Sequence, residues 1–281
     1  MTLAQVGGLK RMKTTSRRRE RASTSSLLEI ERGNGPFVAT SLHSAHQVRP
    51  SLLPKLALND ADRLREEDPF TDLWTVVCPT RLVPCRSRFE VDLNRPPTGA
   101  VYLKPEDAWG LRVWHEPLDD GTLAKTMREY RAYYAEMLEI LNDLEQRYGK
   151  FVVFDLHSYN HRRAGAWAEP ADPELNPEVN VGTGSMNRAR WARVVDRFMD
   201  DLRRFDFMGS SLDVRENVRF QGGYLCRWVH EHFPVTGCAL ALEFKKFFMD
   251  EWSGEADPRA VAAIRAALES TLPGLREELA R

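Results

Sequence analysis

The sequence lacks any apolar run long enough to span a bilayer as a helix: stretches such as FVVF and CALAL fall far short of the about 20 residues required. An excess of charge of either sign is also missing. The 40 Lys and Arg residues meet 41 Asp and Glu, a formal charge of −1, so no overall field attracts nucleic acid or an anionic membrane, and a small-molecule partner is expected. Cysteine is scarce: Cys78, Cys85, Cys226 and Cys238 form no Cys-x-x-Cys pair, which excludes a zinc ribbon or a thioredoxin-like motif and predicts reduced thiols. Residues 1–21 have almost nothing to bury, with seven basic residues against Glu20 alone, and no apolar segment follows of the kind a secretory signal needs. Residues 1–33 are therefore read as a disordered basic tail with no assigned function, and the protein as soluble and cytoplasmic. No internal repeat is present.

What the chain does have is core material. It is 42% hydrophobic and 10% aromatic, enough for a substantial interior, and one α/β domain is expected over residues 34–281. Strands are predicted at PFVATSLH, ending at His43, and at WTVVC, FEVDL, FVVFDL, SLDVRE and CALALEF. The run Phe151 to Phe154 is too short for a helix and has the β-branched and aromatic make-up of a strand buried on both faces. Helical periodicity marks Asp120 to Tyr148, where Met127, Tyr130, Tyr134, Met137, Leu141 and Leu144 recur at steps of three or four and Gly149 is placed as a C-cap. A second helix is expected from Asn187 to Phe205. A third begins at Asp257, with Pro258 in its first turn. Strands alternating with helices define the α/β class.

Candidate chemistry collects at strand ends, where ligands sit in open α/β sheets. His43 leaves the first strand much as His157 leaves FVVFDL, and two imidazoles plus a carboxylate make a zinc site. The acidic stretch REEDPFTD offers Glu66, Glu67, Asp68 and Asp72 for that carboxylate, with Pro69 turning the last acids into a loop. Asp155 is two residues before His157 on one strand and is positioned to accept the second ring N–H of a ligating histidine. The segment SRFEVDLNRPP alternates Phe89, Val91 and Leu93 inward and leaves Arg88 before it and Asn94 and Arg95 after it. Arg95 with Asn94 suits a substrate carboxylate, and Arg88 a developing oxyanion. Glu243 ends the apolar run CALAL; burial there raises its pKa and suits a general base, while pairing with Lys245 or Lys246 is the plainer alternative. Solvated acids, surface ion pairs and hydrogen-bonded strand-end histidines are likewise the plainer readings of the other residues.

The order LHSAH, REEDPFTD, SRFEVDLNRP, FDLHSYNHRR, QGGY and ALEF, across residues 37–248, resembles the N-formylglutamate amidohydrolase family. VDLNRP and DLHS carry most of the resemblance. It implies a mixed twisted sheet sandwiched between helices, related to the zinc carboxypeptidases, and hydrolysis of N-formyl-L-glutamate to formate and glutamate with one Zn²⁺ per chain. By the same resemblance His43 and His157 are metal ligands, with Asp68, or next Glu67, as the third. Glu243 is then the general base, Arg88 polarises the scissile carbonyl, and Arg95 with Asn94 grips the substrate carboxylate. One departure leaves the substrate open: the family's usual Pro-His-Ser-Gly is here Leu42-His43-Ser44-Ala45, so another N-acyl amino acid or small peptide stands as an alternative, as does a non-catalytic binding protein for acidic amino-acid derivatives.

Overall fold

The computed structural model describes residues 27–281; the basic segment 1–26 lies outside the described residues. Seven strands form one mixed sheet among those residues: β1 (Leu28–Glu31), β2 (Phe37–Thr40), β3 (Thr80–Pro84), β4 (Phe151–Tyr159), β5 (Val179–Gly182), β6 (Val214–Glu216) and β7 (Gly237–Lys245), in the order β1-β3-β2-β4-β7-β5-β6. β3, β2, β4 and β7 run parallel, while β1 and β5 are antiparallel to β3 and β7. The helices are α1 (Asp60–Glu66), α2 (Asp120–Tyr148), α3 (Ala192–Arg204), α4 (Tyr224–His232) and α5 (Pro258–Leu279). None is long and apolar enough to cross a membrane.

β4 and β7 pair along their full length, from Phe151↔Gly237 to Tyr159↔Lys245. Val152, Phe154, Leu240 and Leu242 face α3 and α5, while Phe151, Val153, Ala239 and Ala241 face α2 and α4. Helices on both faces explain why these strands read as unbroken apolar runs instead of alternating ones. α2 starts where Asp119 accepts the Thr122 N–H and stops at Gly149, whose φ of 76° is open to a residue without Cβ.

The structure corrects several sequence expectations. WTVV of the expected strand WTVVC lies in a 3-10 helix, Thr71–Val77, where Trp74 packs edge-on against Phe248 and donates its indole N–H to the Val261 carbonyl; Cys78 caps it, and the strand follows at Thr80. FEVDL is a series of turns. Glu90 and Asp92 are as buried as Phe89, Val91 and Leu93, since Arg49 and His43 give the two acids partners inside. The first buried strand stops at Thr40, three residues short of His43. α3 begins at Ala192. The folded part starts earlier than residue 34: Leu28–Glu31 forms an edge strand against β3. β5 and α4 had no counterpart in the sequence reading.

Candidate active site

β2 and β4 are parallel neighbours in register Thr40↔Asp155, so the chain leaving β2 emerges beside the end of β4. This sets the ring of His43 4.8 Å from that of His157. Asp68 arrives from the loop after α1, anchored by its own N–H on the His43 carbonyl at 2.9 Å. Its Oδ2 lies 3.3 Å from His43 Nδ1 and 3.0 Å from His157 Nδ1. Two imidazole nitrogens and a carboxylate oxygen thus converge within 4.8 Å of one another, all on buried residues.

The opposite nitrogen of each ring meets a carboxylate. Asp92 Oδ1 is 2.8 Å from His43 Nε2, and Asp155 Oδ1 is 2.9 Å from His157 Nε2. A carboxylate in that place fixes the tautomer with Nε2 protonated and leaves Nδ1 for the centre of the cluster. Burial works to raise the Asp68 carboxyl, but its hydrogen bonds with His157 and His43 outweigh it and hold the group far below the usual carboxylate range. Burial works to lower His157, yet the charge and hydrogen bond of Asp155 carry it well above the usual imidazole value. Asp92 is buried too, and the charges of His43 and Arg88 keep it ionised. The set fits a divalent transition metal such as Zn²⁺: two nitrogens and one anionic oxygen facing inward, each ring braced from behind. In the free protein a proton on His157 has to leave when a metal enters.

Glu243 on β7 stands in register with His157 on β4 and Asn180 on β5, so its side chain shares their face of the sheet. It opens partly into the cleft, and burial pushes it up to about 7 against the pull of His157. Neither lysine pairs with it. Lys245 Nζ donates to the Asn176 carbonyl at 2.9 Å, and the fully buried Lys246 donates to the carbonyls of Arg65 and Glu67 at 2.6 and 2.8 Å. Lys246 thereby ties the segment just ahead of Asp68 to the end of β7.

The cleft has two lobes that share His43, Arg88, Asn94, Phe220 and Glu243. The smaller, about 160 Å³, also reaches Asp68, His157 and Arg163. The larger, about 330 Å³, reaches Arg95, Tyr224 and Arg227. Arg88 commits one N–H from each of its nitrogens, to Tyr102 Oη at 3.2 Å, the Glu66 carbonyl at 3.2 Å and Asp92 Oδ2 at 3.0 Å. A guanidinium has five N–H groups, so one on each Nη remains for the cleft. Asn94 gives its amide oxygen to the Leu225 N–H at 3.1 Å and sets Nδ2 3.2 Å from His157 Nε2.

Glu67 is not with the cluster. The extended backbone at this residue aims it away from Asp68, into hydrogen bonds with His46 Nδ1 at 2.6 Å and Ser87 Oγ at 2.5 Å. Asp72 lies on a separate groove beside Glu29 and Arg81. Asp92 and Tyr102 were missed by sequence reasoning, and Lys246 was considered only as a partner for Glu243. Asp92 carried the signal that singled out Asp155 and Glu243, an acid inside an apolar run, but FEVDL was read as an alternating strand that faced it outward.

Fold and site together define a protein of mixed α/β architecture whose strand ends gather a donor set able to hold a metal. The chain belongs to the N-formylglutamate amidohydrolase family, whose sequence profile matches residues 35–249. Two solved structures share the fold. An N-formylglutamate amidohydrolase from Ralstonia eutropha JMP134 aligns at a TM-score of 0.69 and 18% identity, over 89% of this chain and 96% of that one. A protein from Agrobacterium tumefaciens aligns at 0.64 and 18% identity, over 92% of this chain and 97% of that one. No curated protein matches the chain at a significant level.

Proposed function

We propose that the protein is a cytoplasmic, Zn²⁺-dependent amidohydrolase that cleaves the formyl amide of N-formyl-L-glutamate, or of a close N-acyl relative, to formate and the free amino acid. The observation that carries this reading is the placement of Glu243 beside a buried His43–Asp68–His157 cluster in one cleft. His43 Nδ1, Asp68 Oδ2 and His157 Nδ1 are the atoms that would hold the ion. When bound there, such an ion supplies Lewis acidity, acidifying a water towards a pKa of about 7 and polarising the amide carbonyl.

The side chains do the remaining work. Glu243 accepts the proton of the attacking water at a carboxylate oxygen and returns it to the departing amine, a task suited to a carboxyl pushed up to about 7. Arg88 offers its two remaining Nη–H groups to the oxygen that gains charge; one such donor is worth about 3 to 4 kcal/mol of barrier. Arg95, 42% exposed and 3.7 Å from Asp92, takes a substrate carboxylate, with Asn94 fixing the backbone before it. Asp92 and Asp155 keep the two imidazoles turned inward.

Formate release from N-formyl and N-acyl amino acids, measured together with bound metal, tests the reading. Glu243→Gln keeps shape and hydrogen bonding but cannot take the proton. The variant should retain metal and lose roughly 10²- to 10⁴-fold in kcat. Near-normal turnover places the base elsewhere, and loss of metal makes Glu243 a ligand.

A further inference from the structure

Trp109 breaks a local rule beside the cleft. It follows the short 3-10 helix Pro105–Ala108 with a φ of 53° and a ψ of 29°, the left-handed region that glycine usually fills and that is an outlier for a bulky side chain. Gly110, one residue on, has a φ of 92°, so a glycine is at hand and the indole nevertheless takes the strained position. The turn is held from both sides. Asp107 Oδ2 accepts the Leu103 and Lys104 N–H groups at 3.0 and 3.2 Å, and the Gly110 N–H reaches the Pro105 carbonyl at 2.7 Å. Backbone strain that its surroundings enforce in this way points to function.

The strained turn delivers an aromatic face to the smaller lobe. The Arg88 guanidinium carbon lies over the Trp109 ring, 4.8 Å from its centroid, and both residues line that lobe with Asp68 and His157. The same indole meets the buried Tyr102 ring nearly edge to face, with centroids 6.0 Å apart and planes at 68°. Tyr102 in turn accepts the Arg88 Nε–H at 3.2 Å and donates to Asp92. Arg88, Tyr102 and Trp109 thus close a triangle in which hydrogen bonds hold the guanidinium by its edge and the indole holds it by its face.

From this we infer that Trp109 is a positioning residue, which fixes the tilt of Arg88 so that its two uncommitted Nη–H groups meet the oxygen that gains charge. The inference rests on the amide-hydrolase reading of the same cleft and adds the residue that aims its oxyanion donor. Hydrogen bonds along an edge tolerate some out-of-plane tilt, since they weaken steeply only at angles far from linear. An indole laid against the plane removes that freedom, and a donor fixed beforehand needs no reorganisation as charge develops.

The test compares hydrolysis of N-formyl-L-glutamate by Trp109→Ala, Trp109→Phe, Arg88→Gln and the Trp109→Ala/Arg88→Gln double variant. Trp109→Ala should lose roughly 3- to 30-fold in kcat, the span of a cation–π contact, with KM unchanged, and Trp109→Phe should recover most of it. In the double variant the loss from Trp109→Ala should vanish, because the residue it acts through is already gone. An unchanged kcat, a rise in KM alone, no recovery with Phe, or a loss that persists beside Arg88→Gln overturns the inference. If the unmodified protein hydrolyses no N-formyl or N-acyl amino acid, the amide-hydrolase reading fails, and NMR of the arginine side chains decides the placement by itself. The Arg88 Nε–H signal, recognised by its loss in Arg88→Gln, should then move downfield in Trp109→Ala as the indole ring current is removed; a signal that stays in place overturns it.

Discussion

His43 just beyond β2, His157 near the end of β4 and His230 on α4 are all buried, yet the first two and the third sit in opposite chemical surroundings. Each of the first two backs onto a carboxylate at Nε2 and turns Nδ1 towards Asp68. His230 accepts the Ala239 N–H at Nε2, 3.0 Å, so its proton is on Nδ1, which donates to Ser185 Oγ at 2.9 Å. Both of its nitrogens are committed to the fold. Burial alone pushes it down to about 4, whereas at His157 the Asp155 carboxylate overcomes burial and drives the shift upward. A buried histidine is thus a candidate ligand when an anion braces one nitrogen and leaves the other aimed at further donors. A buried histidine beside a serine is, here, a structural strut.

The sharpest way to break this contrast is to remove a ring from each environment. His157→Ala should abolish bound metal and turnover together, whereas His230→Ala should keep the metal and lose about 1 to 3 kcal/mol of stability through its orphaned partners. Elemental analysis and thermal melting of both variants check it; equal metal loss in the two would erase the distinction.

Acid should separate the environments next. The pKa of His230 falls from 6.5 to about 4 on folding, so its contribution is intact above pH 6.5 and disappears as pH falls through about 4. That is worth about 3 kcal/mol, at 1.36 kcal/mol per unit. His230→Gln should lack this part of the acid sensitivity in denaturant titrations at pH 7 and pH 4; identical losses in both proteins would contradict it. His157 has the opposite sign. Its pKa is raised on folding, so in the metal-free protein its contribution is full below pH 6.5 and is lost as pH rises through the folded value.

A smaller effect probes the bracing anions. Asp92→Asn and Asp155→Asn should each weaken metal binding by roughly 10- to 100-fold while leaving the fold in place. Competition against a chelator of known affinity measures this, and unchanged affinity in both variants would mean that the rings need no brace.

Much of this was legible in the residues. The periodicity of Asp120–Tyr148 marked α2 from end to end, and the apolar runs at Phe151 and Ala239 marked the two central strands whose ends carry His157 and Glu243. His43, Asp155 and the acidic stretch that includes Asp68, which the structure brings together, drew attention because strand ends and acidic loops are where polar groups converge. What sequence could not supply was the inside of the polar network. Glu90 and Asp92 look like the outward half of an alternating strand until Arg49 and His43, more than 40 residues earlier, are known to be waiting. α4 was hidden because nine residues opening on two glycines carry little periodicity. Glu67 and Asp68 could not be told apart by composition, since the direction of each side chain follows from backbone angles at the end of α1.

The buried ammonium of Lys246 has a mechanical consequence. By holding the carbonyls of Arg65 and Glu67, it mounts the loop that bears Asp68 on the same strand end that bears Glu243, three residues away along the chain. In the function proposed above, the proton acceptor and the acidic ligand therefore share one frame, and their separation is gauged by the three residues from Glu243 to Lys246 instead of by the packing of distant elements. A displacement of that strand end carries both groups together, so the working distance between them survives motions that would pull apart a site assembled from independent loops.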